Sequence, residues 1–213
     1  IIGKAMVETG MSIQLLNYYA KIISSPLRYD HKETDPYEHG TYCYSFLNRE
    51  PIGVVSCIAP FNFPFILAMM KIAPALAAGN TIVVKPSSET PLATMEFARI
   101  VHEAGIPAGV FNTITGPGSV VGEILASHPM VDKVALTGST ETGRKILEYA
   151  APTVKVTTLE LGGKSANIIL DDAELDAAID GSIQTWLFHS GQVCHSGQRL
   201  LVAKSIYDEV LNR

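Results

Sequence analysis

The stretch IGVVSCIAPFNFPFILAMMKIAPALAAGNTIVVK, residues 52–85, decides the fold of this chain. Its ends, residues 52–59 and 81–85, are largely apolar and rich in β-branched side chains, which is typical of strands buried on both faces. Residues 65–78 between them are long enough for a helix, which Gly79 and Asn80 would end. The order strand, helix, strand predicts two parallel strands connected by a helix that covers the sheet.

The same alternation continues on both sides of this stretch. Upstream, Met6, Ile13, Leu16, Tyr19 and Ile23 predict one face of a helix, the polar residues 24–40 a crossing loop, and residues 41–47 a half-exposed strand. Downstream, we predict helices at 92–103, 120–126, 141–150 and 174–189, strands at 110–115, 133–137, 153–159 and 167–170, and a last strand and helix from Arg199. The pattern indicates an α/β fold with a doubly wound, mostly parallel sheet; the beginning of a second α/β domain is implied only by the family resemblance described below.

Composition and charge exclude several classes of protein. A net charge of −5, without any run of Lys or Arg, predicts that neither nucleic acid nor an anionic membrane surface is a partner. The longest apolar stretch, residues 63–78, is too short to span a bilayer and contains Pro64, Lys71 and Pro74. Three cysteines without Cys-x-x-Cys spacing favour free thiols over a disulfide framework or a metal site. We therefore expect a soluble, cytoplasmic protein without a structural metal.

One cysteine lies among residues that suggest chemistry. Cys194 follows Gly191, Gln192 and Val193, and a thiol is the strongest nucleophile that a protein carries near neutral pH. The other two cysteines lie in apolar or aromatic surroundings, so we expect Cys43 and Cys57 to be inert fillers. His195 follows the nucleophile directly, and because adjacent side chains of a strand or loop diverge, we do not expect it to act as a base.

Three segments together carry a resemblance to a known family. They are GQVCHSGQR at 191–199, LELGGKS at 159–165 and PFNFP at 60–64. With two further segments in the family's order, they make the chain resemble the NAD(P)-dependent aldehyde dehydrogenases from about residue 1 to 213. The resemblance implies oxidation of an aldehyde to a carboxylic acid through a cysteine thiohemiacetal and a thioester.

The resemblance assigns three catalytic roles. Cys194 would attack the aldehyde, the Asn62 amide would donate to the oxyanion together with the Cys194 backbone N–H, and Glu160 would activate the water that hydrolyses the thioester. Members that transfer the acyl group to coenzyme A generally lack the glutamate, so its presence indicates hydrolysis. From the residues alone, Asn62 also fits a turn position beside Pro64, and Glu160 a charged strand end.

The resemblance implies that two residues at the end of a predicted strand and just beyond it meet the adenosine ribose. Lys85 ends that strand at the carboxyl edge of the sheet, where ligands of such folds bind, although a lysine there also simply solvates a strand end. Relatives that prefer NAD commonly carry glutamate three residues later, where this chain has Ser88. A serine would not repel a 2′-phosphate, so we expect NADP to be accepted as well as NAD. Many relatives carry Trp at the cofactor position of Phe61, whose ring cannot donate a hydrogen bond to phosphate.

Two glycine-containing segments are candidates for a phosphate loop. Gly138 and Ser139 follow an apolar strand and open a helix, so backbone N–H groups and the helix dipole would point at a pyrophosphate. A plain N-cap at Ser139 explains the same pattern, and the family resemblance favours the cofactor role. The other segment, 116–122, contains Pro117 and has the wrong glycine spacing, so we expect an ordinary turn before a helix.

The resemblance also implies a substrate site and a division into domains. Four apolar residues match positions that line the substrate tunnel of relatives: Phe63, Leu67, Met70 and Phe188. Residues 1–160 would form the NAD(P)-binding domain without its N-terminal part, and 161–213 the start of the catalytic domain, whose remainder is missing. The full-length form is expected to be a homo-oligomer. The alternative is an inactive fragment, or a noncatalytic relative that binds nucleotide without turnover.

Overall fold

The computed structural model describes residues 2–24 and 48–213, and the backbone of residues 32–33 and 44–45. The helices are α1 (Ile2–Ile23), α2 (Ile66–Ala77), α3 (Leu92–Glu103), α4 (Glu123–Ser127), α5 (Thr140–Ala150), α6 (Leu175–Leu187) and α7 (Tyr207–Asn212). The strands are β1 (Lys32–Glu33), β2 (Tyr44–Ser45), β3 (Val54–Ile58), β4 (Thr81–Lys85), β5 (Phe111–Thr113), β6 (Lys133–Gly138), β7 (Val156–Leu161), β8 (Ala166–Ile169) and β9 (Arg199–Val202).

The main sheet contains five strands in the order β5-β4-β3-β6-β7. The pairs β3/β4, β3/β6 and β4/β5 are parallel, and β3 pairs with β4 from Val54 opposite Thr81 to Ile58 opposite Lys85. The α/β class with a mostly parallel sheet is therefore confirmed. Because the strand order reverses at β3, the loop that follows β3 lies at the switch point, where ligands of open parallel sheets bind.

A core of apolar side chains lies between this sheet and its helices. Cys57, Met69, Ile72, Ile82 and Val84 are completely inaccessible to solvent. Leu15, Leu16 and Tyr19 of α1 pack against the same cluster. Burying a side chain of this size stabilises the folded state by about 1.5–3 kcal/mol relative to leaving it exposed, so β3, β4 and α2 form a well-packed base for the loops at the sheet edge.

Helix α1 forms where the periodicity predicts it, but only part of the predicted apolar face is packed. Leu16 and Tyr19 of the predicted face pack against the core, but Met6, Ile13 and Ile23 are exposed. The side facing α2 instead buries Glu8 and Ser12. Two polar residues interrupt the apolar pattern on the packed face, so the prediction was wrong for the three exposed residues.

The remaining elements lie close to their predicted positions. The segment 116–122 contains a five-residue π-helical turn at Gly118–Gly122 that leads into α4. Helix α6 ends at Leu187 rather than 189 because His189 and Ser190 have left-handed backbone angles. Most of the predicted loop 24–40 and strand 41–47, including Cys43, lies outside the described residues.

The chain divides into two compact units. The first comprises residues Ile1–Leu136 and Ile146–Thr158, and the second Thr137–Lys145 and Leu159–Arg213. In the second unit β8 pairs in parallel with β9, from Ala166 opposite Arg199 to Ile169 opposite Val202. Parallel neighbours need a crossover connection, and α6 provides it. The Nδ2 group of Asn167 donates to Ser182 Oγ at 2.9 Å, which ties β8 to that helix.

Candidate active site

Asn62 lies in the turn between β3 and α2. The turn starts just beyond Ile58 at the carboxyl end of β3, and Asn62 is half-buried there. Its backbone carbonyl accepts a hydrogen bond from Lys4 Nζ of α1. At the end of the turn, Glu8 Oε2 accepts hydrogen bonds from the backbone N–H groups of Phe65 at 3.2 Å and Ile66 at 3.4 Å. The turn is thus held at both ends by side chains of α1.

Lys85 and Ser88 lie at the carboxyl end of β4, as predicted. Lys85 is only 4% exposed, its Nζ donates to the Pro86 carbonyl at 2.9 Å, and burial lowers the pKa of its ammonium group. Ser88 is exposed, and its hydroxyl donates to the carbonyl of Gly116 at 3.0 Å. Because Gly116 belongs to the segment after β5, this bond joins the loops that follow two neighbouring strands. Glu89 is also exposed beside Ser88.

Ser139 caps helix α5. Its Oγ accepts the backbone N–H of Thr142 at 3.1 Å, and its carbonyl accepts the N–H of Gly143 at 2.9 Å. Ser139 is therefore the N-cap that the sequence pattern permits. Gly138 is the last residue of β6, and α5 begins two residues later. A Cβ atom on Gly143 would come 2.7 Å from Leu161 Cδ2, so the absence of a side chain lets α5 approach β7 closely.

Cys194 is exposed on a tight turn whose neighbours are firmly bonded. The Ser196 N–H donates to the carbonyl of Val193 at 3.2 Å, which closes the turn. Ser196 Oγ donates to the Thr185 carbonyl of α6 at 3.0 Å, and Trp186 Nε1 donates to the Gly197 carbonyl at 2.5 Å. Helix α6 therefore fixes the backbone that carries the thiol, while the thiol itself faces solvent.

The segment after Glu160 lies against the Cys194 turn. Glu160 is exposed near the end of β7. Beyond it, a Cβ atom on Gly163 would lie 3.6 Å from the Cys194 carbonyl oxygen. Arg199 Nε donates to the Lys164 carbonyl at 2.7 Å, and Lys164 Nζ donates to Gln198 Oε1. Two segments more than thirty residues apart are thereby clamped together within the second unit.

The side chains of Cys194 and His195, which are adjacent in the chain, do not diverge. Cys194 Sγ lies 3.6 Å from His195 Nδ1, within the range of a hydrogen bond to sulfur. The expectation of diverging side chains holds for an extended strand, but Cys194 and His195 lie in a turn. The geometric prediction was therefore wrong, and catalysis by His195 has no further support.

The apolar positions predicted to face substrate lie away from the core. Leu67 is half-buried and Met70 is exposed on α2, whereas Ile66, Met69 and Ile72 of the same helix are buried. The predicted substrate residue Phe188 and the predicted cofactor residue Phe61 are exposed. Phe63 is half-buried, and Lys4 Nζ lies 4.5 Å from the centre of its ring. Leu67 and Met70 therefore lie on the less buried face of α2.

Sequence motifs did not reveal the contacts made by Lys4 and Glu8. Both lie on α1, more than fifty residues before the turn that they hold. The available signal was the interruption of the apolar pattern by Glu8, which is 6% exposed. A charged residue buried on a packed helix face requires a partner, so its position indicated a tertiary contact.

Neither a metal site nor a membrane span is found where the structure describes the chain. Over residues 2–24 and 48–213, no three His, Cys, Asp or Glu side chains are grouped so as to hold a metal ion. In the same ranges, no helix combines the length and apolar character needed to cross a bilayer.

Comparison with known proteins identifies the family. The model of the aldehyde dehydrogenase family matches residues 1–213. The chain belongs to the aldehyde dehydrogenase family. A betaine aldehyde dehydrogenase of Bacillus subtilis is 52% identical over 163 residues, which cover 76% of this chain and 33% of that protein.

Two crystal structures of relatives share the fold. An NADP-dependent enzyme of Escherichia coli superposes with a TM-score of 0.89 at 36% identity, covering 99% of this chain and 43% of its own. The betaine aldehyde dehydrogenase of Staphylococcus aureus, crystallised with NAD⁺, superposes with a TM-score of 0.84 at 42% identity. The match covers 92% of this chain and 38% of that enzyme. The chain thus spans between a third and about two fifths of the length of these relatives.

Proposed function

We propose that this chain carries the nucleophile, the oxyanion donor and the water-activating carboxylate of an enzyme that oxidises an aldehyde to a carboxylic acid with NAD⁺ or NADP⁺. The observation that carries the proposal is the clamp between the Cys194 turn and the segment after Glu160. It brings an exposed thiol and a segment that begins with an exposed carboxylate into one compact unit. Family membership supplies the reaction class.

Cys194 performs the first step in this proposal. Its thiolate forms a bond to the aldehyde carbon, and the carbonyl electrons move to oxygen. The Cys194 backbone N–H and the Asn62 side-chain amide are the proposed donors to that oxyanion. Preorganised donors of this kind act only where charge develops, and removing one typically costs about 10²- to 10³-fold in rate. The product of this step is a thiohemiacetal on Cys194.

The residues present fit a dinucleotide cofactor. Helix α5 begins at the end of β6 with a capped N-terminus, which favours an anion such as a pyrophosphate, and Gly138 and Ser139 are the proposed contacts. Lys85 and Ser88, at the end of β4, are the proposed ribose contacts, and the exposed Phe61 ring offers an apolar surface. The chemistry that the nicotinamide supplies when bound is acceptance of a hydride from the thiohemiacetal carbon, which leaves a thioester.

Glu160 completes the proposed reaction. Its carboxylate takes a proton from water, the resulting hydroxide equivalent adds to the thioester carbon, and the C–S bond breaks. The carboxylic acid leaves and the Cys194 thiolate is restored. General base catalysis of this kind contributes about 10²- to 10⁴-fold. The exposure of Glu160 on β7 supports this role because water reaches the carboxylate directly.

We extend the proposal to the chain's organisation and setting. Residues 1–160 are assigned to the cofactor-binding domain and 161–213 to the start of the catalytic domain. The exposed residue Ser88, in place of a glutamate, supports use of NADP beside NAD. Family resemblance supports a homo-oligomer in the cytoplasm. Fractionation of cells and light scattering of the purified protein test these last two statements.

The proposed function is tested with the protein as expressed from its own gene. It is incubated with a panel of aldehydes and NAD⁺ or NADP⁺, while reduced cofactor is followed by absorbance and the acid by mass spectrometry. We expect both products in equal amounts, loss of turnover in Cys194→Ser, and retention in Cys57→Ala. Nucleotide binding without turnover would instead establish the noncatalytic alternative. Turnover that persists in Cys194→Ser would overturn the assigned nucleophile.

A further inference from the structure

Helix α2 begins without a cap from its own residues. Among the described residues, its first turn contributes no acidic side chain, and its N-cap residue Phe65 makes no side-chain capping bond. The first N–H groups of a helix have no partner within the helix and need one from elsewhere. Glu8 of α1 provides it, because its Oε2 accepts from the N–H groups of Phe65 and Ile66.

The Glu8 carboxylate is suited to this position by its charge. It is 6% exposed and lies at the positive end of the α2 dipole. Its other oxygen, Oε1, forms an ion pair of 3.1 Å with Lys4 Nζ, one helical turn earlier on α1. The buried carboxylate is therefore neutralised by a cation as well as hydrogen-bonded, which is the condition for a stable buried charge.

Lys4 binds the other end of the turn that contains Asn62. Its Nζ donates to the backbone carbonyl of Asn62 and lies over the Phe63 ring. The ammonium group thus binds an acceptor at the start of the turn, while the carboxylate paired with it binds the donors at the end. One ion pair on α1 fixes residues 62–66 from both sides.

We propose that Lys4 and Glu8 are positioning residues that hold Asn62 in the orientation needed for oxyanion stabilisation. The inference rests on the proposed function, since it gives the ion pair a role in the same reaction. A donor must point at the place where the oxyanion forms, and a displacement of about 1 Å can reduce the rate by about 10²-fold. Neither side chain touches substrate in this role; both act through the backbone of the Asn62 turn.

The first experiment measures steady-state kinetics of Lys4 variants. Lys4→Met removes the cation with little loss of side-chain length, and we expect kcat to fall about 10- to 100-fold while KM for the aldehyde changes little. Lys4→Arg, which keeps the charge and donors, restores most of kcat. Arg99→Met is the matched control, because it removes a cation from an exposed ion pair with Glu103 on α3. If Lys4→Met does not fold, Lys4→Gln replaces it.

A double-mutant cycle separates positioning from a general effect on stability. In an Asn62→Ala background the oxyanion amide is absent, so Lys4→Met should reduce kcat less than twofold there. An equal reduction in both backgrounds would mean that Lys4 does not act through Asn62. Unchanged kcat in folded Lys4→Met would overturn the inference as well.

Amide hydrogen exchange tests the turn independently of activity. In Glu8→Ala we expect the N–H groups of Phe65 and Ile66 to exchange at least tenfold faster, with no change in β4. Glu8→Gln keeps an acceptor oxygen, so its exchange rates at these two residues should lie between those of the unchanged protein and those of Glu8→Ala. Absence of aldehyde oxidation by the unchanged protein would defeat the proposed function, and with it the oxyanion role of Asn62; in an active protein, this exchange tests the inference separately. Unaltered exchange in Glu8→Ala would overturn it.

Discussion

Cys194 Sγ and His195 Nδ1 lie 3.6 Å apart on a turn that α6 fastens from one side. The contact joins two neighbouring residues and leaves the thiol open to solvent. A reagent of small size therefore reaches the sulfur without any movement of the backbone. Cys57 offers the contrast, since it lies on β3 with no accessible surface.

The first prediction concerns selective alkylation. At pH 8, brief treatment with iodoacetamide should modify Cys194 at least tenfold faster than Cys57, because the thiolate is the reactive form. Burial raises the pKa of Cys57 to about 12, so it stays protonated at this pH, and its thiolate fraction rises only as the pH approaches that value. Peptide mapping by mass spectrometry gives both rates. We also expect Cys43 to react more slowly than Cys194. Equal labelling in folded protein would remove the basis for choosing Cys194.

The second prediction separates the two halves of the reaction. Glu160→Gln should release a burst of about one reduced cofactor per site and then lose about 10²-fold or more in steady-state rate, since the thioester is no longer hydrolysed efficiently. Stopped-flow absorbance measures both phases. Thr158→Val is the matched control, because Thr158 is exposed on the same face of β7 two residues earlier. If the burst itself disappears, Glu160 acts in a step before the hydrolysis of the thioester.

The third prediction concerns the choice of cofactor at Ser88. Ser88→Glu should raise the ratio of kcat/KM for NAD⁺ over NADP⁺ about tenfold or more, because a carboxylate would repel the 2′-phosphate. The substitution also removes the hydrogen bond from Ser88 to the Gly116 carbonyl. Ser88→Ala removes that bond alone, so it should leave the ratio within about twofold. A ratio that shifts equally in both variants would show that Ser88 does not face the ribose.

The fourth prediction concerns stability at the start of β3. Gly53 has a φ of +123°, and a Cβ atom there would collide with the Asp132 carboxylate, which accepts the Val54 N–H at 2.8 Å. Gly53→Ala should lower the free energy of unfolding by about 1–3 kcal/mol through backbone strain and loss of that bond. Urea denaturation followed by circular dichroism measures it.

A second glycine provides the control for this prediction. Gly181 lies inside α6, and among the described atoms none would lie within 4 Å of its Cβ. Gly181→Ala should therefore raise the free energy of unfolding by about 0.5–1 kcal/mol. A Gly53→Ala protein as stable as the unchanged one would show that the strand end relaxes without cost.

Local sequence patterns predicted the elements of the sheet well. Strand β4 and helix α3 have the predicted bounds, because continuous apolar runs and punctuation by Pro and Gly are local signals. The packed face of α1 was predicted only in part, for the opposite reason. Glu8 is buried because of partners near residue 65, and a helical periodicity contains no information on partners so distant in the chain.

The candidate site was predictable only as a set of motifs. Cys194, Glu160 and Asn62 were recognised from short segments, and their functional roles stay predictions. The contact between Gly163 and the Cys194 carbonyl depends on the register of β8 with β9, which no single segment specifies. The approach of His195 to Cys194 depends on a turn whose bonds come from α6. Tertiary contacts of this kind follow from packing rather than from local propensity.

The parallel pairing of β8 with β9 has a consequence for how the molecule is made. Arg199 of β9 donates its Nε to the Lys164 carbonyl and its backbone N–H to the Ser165 carbonyl, so the clamp on the Cys194 turn requires chain beyond Cys194 itself. During synthesis the thiol leaves the ribosome before β9 can pair, and closing a parallel connection through α6 is slow compared with forming a local turn. The newly made Cys194 turn therefore passes through an interval in which its backbone is not yet held by the clamp.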